Sequence, residues 1–331
     1  MRHSPRPAIA HVTALALVLL AGLASAQPAA PGRAPAFVFA TVAEGRAVLG
    51  ARDNYVLATS PLERSAKLKT AETVSEERFR EHMQNAVLEW TPEQRKNLAP
   101  LLDRMAGFLK GLRWQAPARI LLVQSDATLE DDSPHTRANA IILPRSYYEQ
   151  GPGALAYVLA HETFHVLSRH NLELREALYA AIGFRRCDTV NVPAAIERLR
   201  ITNPDAVESR HTIALRHQGQ PVDALPYIRF PSDATNPRDG FIRQVQVAWM
   251  PVDRQGGVCT VRAGPLERGL PPQEYEGLFE QVGRNTQYLF HPEEILADNF
   301  TQLFFATLRG STEGVASPEV LEKMRRILFD P

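Results

Sequence analysis

The spacing of apolar positions changes twice along the chain, and the changes predict its elements. SEERFREHMQNAVLEW (75–90) sets Phe79, Met83 and Val87 at helical spacing behind a serine cap and early glutamates. A second helix start follows: Thr91 as cap, Pro92 in the first turn, and Gln94 three residues after the cap. Pro100 is expected to kink or restart that helix, which runs on to about Gly111. At Ala118 the period shortens. ARILLVQSD and ANAIILPRSYY are β-type runs on either side of the polar ATLEDDSPHTR. Gly151, Pro152 and Gly153 then break the chain before a helix predicted over about 153–181. From Asn191 to Gly264 the turn signals NPDA, HQGQ, TNPRDG and RQGG divide irregular, strand-like pieces. Helical spacing returns in HPEEILADNFTQLFFATLRG, with Pro292, Glu293 and Glu294 in its first turn and Gly310 after Arg309.

The expected fold class is α+β. The expected organisation is a mostly helical segment at 37–117, a main domain at 118–310 with a strand-rich insertion at about 191–283, and a helical tail at 311–331.

The first residues have a different character. Arg2, His3 and Arg6 precede the apolar run Ala14 to Leu23, and Ala24-Ser25-Ala26 stands before Gln27. That is the layout of a cleaved secretory signal over 1–26, followed by a proline- and alanine-rich leader at 27–36 that is expected to be disordered. The apolar run is shorter than the roughly 20 residues a membrane-spanning helix needs. The expectation is an exported chain, periplasmic or extracellular, with no stable membrane span.

Lysine plus arginine and aspartate plus glutamate both number 37, so no net basic field favours nucleic acid. The two cysteines, Cys187 and Cys259, are expected to form one disulfide in an exported chain. Closing a loop of that length would stabilise the fold by roughly 4 kcal/mol.

The candidate chemistry lies in AHETFHVLSRH, 160–170. His161-Glu162-Thr163-Phe164-His165 has the form H-E-x-x-H. Residues four apart lie one above the other on a helix, so both imidazoles can reach one metal ion. Glu162, one position round, can take a proton from water beside the ion without binding it. Zinc suits such a set because it accepts imidazole and carboxylate and keeps a position open. The best third ligand is Glu294, with Asp298 one turn on to accept the free N–H of a histidine. Neighbouring Glu293 points about 100° away on a helix and is expected to be an exposed first-turn acid.

These residues resemble the gluzincin metallopeptidases, in which H-E-x-x-H on one helix is joined by E-x-x-A-D on a later one; EILAD at 294–298 matches. NAIILP before the helix, and Arg169-His170 after the second histidine, are similar to the HtpX and CAAX-prenyl-protease type. The resemblance spans about 118–181 and 290–307, under half of the chain. It implies a zincin-like domain with one Zn2+ per chain, bound by His161, His165 and Glu294, with Glu162 as general base and peptide or protein as substrate. It further implies that the NAIILP strand is the sheet edge along which substrate lies. Those relatives are membrane-embedded, so this chain looks like a soluble, exported relation. The stretch between His165 and Glu294 is longer than in typical gluzincins, so the insertion must loop out and return.

Two other classes fit the same residues: a zinc-binding scaffold without turnover, and a zinc amidase acting on cell-wall peptides. Tyr288, His291, His211 and Tyr227 are candidate donors to a developing oxyanion, with none preferred. His170, rotated off the ligand face, is expected either in a second layer behind the ligands or at the surface, and His211 and His217 are expected to be ordinary exposed histidines.

Overall fold

The computed structural model describes residues 34–233, 236 and 239–329, so the signal sequence and nearly all of the leader lie outside the described residues. The described chain is α+β.

It opens with β1 (Ala36–Phe39) and four helices: α1 (Val42–Leu49), α2 (Asn54–Ala58), α3 (Pro61–Lys67) and α4 (Glu76–Asn85). Each starts on a side-chain cap. Thr41, Asp53, Ser60 and Ser75 accept from the backbone N–H three positions on. The first three helices carry too few regularly spaced apolar residues to stand out in the sequence. Val87, expected on a helix, instead lies in β2 (Val87–Leu88), because α4 ends at Asn85. The next helix, α5 (Pro92–Leu109), passes through Pro100 without interruption. Pro100 lies on the exposed face, where water can serve the carbonyl its missing N–H leaves free.

Three further strands, β3 (Arg119–Ser125), β4 (His135–Arg137) and β5 (Ala140–Pro144), complete a sheet ordered β1-β3-β5-β4, with β2 antiparallel to the far end of β3. β1, β3 and β5 are parallel, and β4 is antiparallel to β5. The NAIILP strand is thus internal, contrary to expectation. A tight turn, with Ala138 at φ 51°, folds His135–Arg137 back over it as the edge. Those three residues sat in what the sequence offered only as a polar loop.

After α6 (Arg145–Glu149) come α7 (Pro152–His170) and α8 (Leu172–Ala181), two helices where one was expected. They part at Asn171, whose side-chain oxygen accepts from Gln115 N and whose amide donates to Gln115 O.

The insertion builds a second sheet from β6 (Phe184–Arg186), β7 (Thr189–Asn191), β8 (His211–His217), β9 (Gln220–Arg229), β10 (Gln246–Gln255) and β11 (Val258–Val261), with the short α9 (Ala194–Glu197) after β7. The order is β6-β8-β9-β10-β11-β7. Its two outer strands are consecutive in the chain, so the sheet must curl. Cys187, between them, is joined to Cys259 of β11 by a disulfide within a core that includes Leu225, Tyr227, Met250 and Val252.

The chain closes with α10 (Phe279–Val282), α11 (Pro292–Arg309) and α12 (Pro318–Phe329). Gly310, at φ 67°, ends α11 in a left-handed conformation that glycine adopts without steric cost. The largest apolar core joins α5, α7, α11 and the insertion, with Phe108, Phe164, Phe300 and Trp249 fully or nearly buried. Among the described residues no helix is long and apolar enough to cross a membrane.

Candidate metal centre

α7 and α11 pack against each other in opposite directions, and their contact builds the site. Apolar residues on both sides, including Ala160, Phe164, Ile295 and Phe300, are buried in one core and hold the helices close. The polar residues at the crossing are consequently buried too. His165, Glu162, Glu293, Glu294 and Asp298 are each less than 5% exposed.

Ligand-capable atoms of His161, His165 and Glu294 lie within 4.8 Å of one another. His161 Nε2 stands 3.1 Å from Glu294 Oε2 and His165 Nε2 stands 3.5 Å from the same oxygen. The opposite nitrogen of each ring is held by its own carboxylate: His161 Nδ1 by Asp298 Oδ1 at 2.9 Å and His165 Nδ1 by Glu293 Oε1 at 3.0 Å. Both acids are fixed in turn. Tyr157 and Thr286 donate to Asp298, and Ser168 and Tyr179 donate to Glu293. The two Nε2 atoms are thereby aimed at one point, with Glu294 Oε2 facing them. His165 Nε2 is buried and makes no hydrogen bond, as does Glu162 Oε2. A buried ring nitrogen left open beside a carboxylate fits a metal ion well.

The electrostatics agree. Burial opposes charge on His161, but hydrogen bonds to Asp298 and Glu294 outweigh it and raise its imidazole to about 10. Burial pushes Glu294 up, yet the neighbouring histidines, His165 foremost, bring it well below the usual carboxylate range. The cluster seeks positive charge. Glu162 behaves differently: burial raises its carboxyl to about 8, with nearby Asp205 adding to the push. A proton is held there more firmly than on an exposed glutamate.

Compared with protein-family models, curated proteins and solved structures, the chain matches none.

Glu293 departs from expectation. It is not an exposed first-turn acid but is 1% exposed and holds His165. Its side chain does leave the helix in a different direction from that of Glu294. The antiparallel crossing uses both directions, with Glu293 reaching His165 on one flank and Asp298 reaching His161 on the other.

Other residues arrive from afar. Asn203 Nδ2 donates to Glu294 Oε1 at 2.6 Å. Asp205 Oδ1 accepts from Thr136 N at 2.7 Å, the outward-facing N–H of the edge strand β4, and a carboxylate oxygen of Asp205 lies within 4.8 Å of ligand-capable atoms of Glu162 and His165. Arg169 holds this loop by donating to Pro204 O and Thr136 Oγ1. In sequence NPDA (203–206) reads as a turn and nothing more. Tyr157 had a local signal, since it stands one helical turn before His161.

Of the four candidate oxyanion donors, only Tyr288 lines the cleft beside the histidines; it is 51% exposed, its ring centred 6.3 Å from that of His161. His291 caps α11, accepting from Glu293 N, and Tyr227 donates to Glu197. His211 is buried and paired with Glu176 at 2.9 Å, not exposed as expected. His170 is at the surface, bonded to Val166 O.

Proposed function

We propose that this chain is an exported, gluzincin-like zinc peptidase. One observation carries the reading: both histidine Nε2 atoms point at Glu294 Oε2 while each Nδ1 is held by a separate buried carboxylate. A helix with satisfied histidines would not need that second set of acids.

His161, His165 and Glu294 would hold the ion, which suits zinc because the donors are two imidazoles and a carboxylate. Bound zinc would supply a lowered water pKa and polarisation of the scissile carbonyl. Glu162 accepts the proton as water oxygen bonds to the carbonyl carbon, then gives it to the departing amine as the C–N bond breaks. Its buried setting and raised proton affinity suit both steps. Tyr288, at the cleft with its ring 6.3 Å from that of His161, would supply a hydroxyl to the carbonyl oxygen as it gains charge. Glu293 and Asp298 keep each imidazole oriented. The signal-like start, with the Cys187–Cys259 disulfide, supports an oxidising compartment outside the cytoplasm.

The test is metal analysis of the purified mature chain with a broad peptide screen, for wild type and Glu162→Gln. Wild type should carry one zinc and cleave peptides. Glu162→Gln should carry the zinc and cleave at least about 100-fold more slowly. A wild type that binds zinc and cleaves nothing defeats the peptidase reading.

A further inference from the structure

The cleft beside the histidines has two unlike walls. One holds the acids and rings of the α7–α11 crossing. The other comes from the insertion and the loop before β8: Ile201, Ile228, Phe241, Ile242, Val245 and Val247. Ile228 and Val247 are direct cross-strand partners on β9 and β10, so their side chains share a face. Ile242 is 46% exposed at the rim, on a one-turn helix at Phe241–Gln244. The cleft has a volume of about 440 Å³, within the range of about 300–1,000 Å³ usual for ligand pockets.

Charge sharpens the picture. Glu162, Asp205, Glu294 and Asp298 line the cleft, as does Glu130, which is paired with Lys67 behind it, and among the described residues no lysine or arginine lines it. An acidic side chain seated against the insertion wall would lose its water shell and find no lysine or arginine to pair with. The backbone route is restricted too, because Asp205 already takes the outward N–H of Thr136 on the edge strand. Strand-on-edge pairing at that position is closed to a substrate, so side-chain recognition has to supply the selectivity.

We propose that this cleft selects peptides by a large apolar side chain seated against the insertion wall, and that it disfavours acidic side chains there. The inference rests on the peptidase reading for the chemistry after binding, but binding can be measured without turnover. Zinc-loaded mature Glu162→Gln would be titrated with fluorescently labelled hexapeptides differing only at a central Leu, Ala or Asp. The Leu peptide should bind roughly tenfold or more tighter than either other, the scale expected for burying one large aliphatic side chain. Ile242→Asp should remove most of that preference, and Ile242→Leu should retain it, with zinc content and melting temperature unchanged in both. Equal binding of the three peptides, tighter binding of the Asp peptide, no binding at all, or indifference to Ile242→Asp would each overturn the proposal. Retained apolar preference in a wild type that hydrolyses nothing would defeat the peptidase reading and leave this one standing.

Discussion

Two clusters of buried charge lie in this molecule, one at the α7–α11 crossing and one behind it, around Lys67. The second is closed on itself. Lys67 Nζ pairs with Glu63 Oε1 at 3.0 Å and Glu130 Oε2 at 2.8 Å, and donates to Tyr55 Oη at 2.7 Å. Tyr55 donates to Glu130, and Thr202 supplies its N–H and hydroxyl to Glu63. No buried side-chain atom of these residues is without a partner. The histidine cluster has more carboxylates (Glu162, Glu293, Glu294 and Asp298) at comparable burial, yet leaves His165 Nε2 and Glu162 Oε2 open. Burial of charge alone does not mark a functional site. What marks it is well-braced groups whose remaining valences converge and stay unused. The clusters are also joined, since Thr202, held by Glu63, precedes the Asn203 that holds Glu294.

The comparison can be broken by variants that should affect one cluster and spare the other. The largest effect is expected from Glu294→Ala, which removes the carboxylate facing both histidines. Zinc affinity should fall by well over the roughly 100-fold ceiling typical of losing a supporting residue. Equilibrium zinc titration with a competing chelator measures it, and near-normal affinity would remove Glu294 from the ligand set.

Glu162→Gln comes next. Hydrolysis should drop by about 10²–10⁴-fold, the usual contribution of a positioned base, with zinc still stoichiometric. Initial rates beside metal analysis give both numbers, and loss of metal would instead make Glu162 a ligand.

Lys67→Met strikes the closed cluster. It leaves Glu63 and Glu130 buried without their cation, so denaturant unfolding should show a loss of about 3–5 kcal/mol. The folded fraction should still bind zinc normally. A variant of wild-type stability would mean that the acids take up protons at no cost and that the cluster is not a support.

Smaller again, Glu293→Ala and Asp298→Ala should each weaken zinc binding by about 10–100-fold, because each frees one imidazole to turn. Glu293→Ala should additionally lower stability by more than the roughly 0.3–1 kcal/mol of an exposed helix-dipole acid, since Ser168 and Tyr179 lose a buried acceptor. Thermal melts of the zinc-free proteins isolate that part. The least effect belongs to His170→Ala at the surface, within about 0.5 kcal/mol.

Several features were legible in the chain because they depend on neighbours within a helical turn or two. The spacing of His161 and His165 on one helix is such a feature, as are the pairing of Glu294 with Asp298 and the caps at Ser75 and Thr91. A period of 3.6 residues converts those spacings directly into shared faces. The two cysteines could be paired for a different reason, since the sequence offers no other cysteine as a partner.

Tertiary structure decided the rest. That Glu293 is buried depends on α11 crossing α7 in the opposite direction, which brings a side chain about 100° off the ligand face against His165. Helical periodicity within α11 carries no information about that crossing. The edge of the first sheet went to His135–Arg137 and not to NAIILP because a left-handed turn residue, Ala138, folds three polar-looking residues back into register. Asn203 and Asp205 reach the site from a turn whose composition reports only that the chain bends. Their partners, Glu294 and Thr136, are 91 and 69 positions away. Local periodicity can place donors on a face, but which far-off groups brace them is set by packing, where contacts have no fixed spacing in the chain.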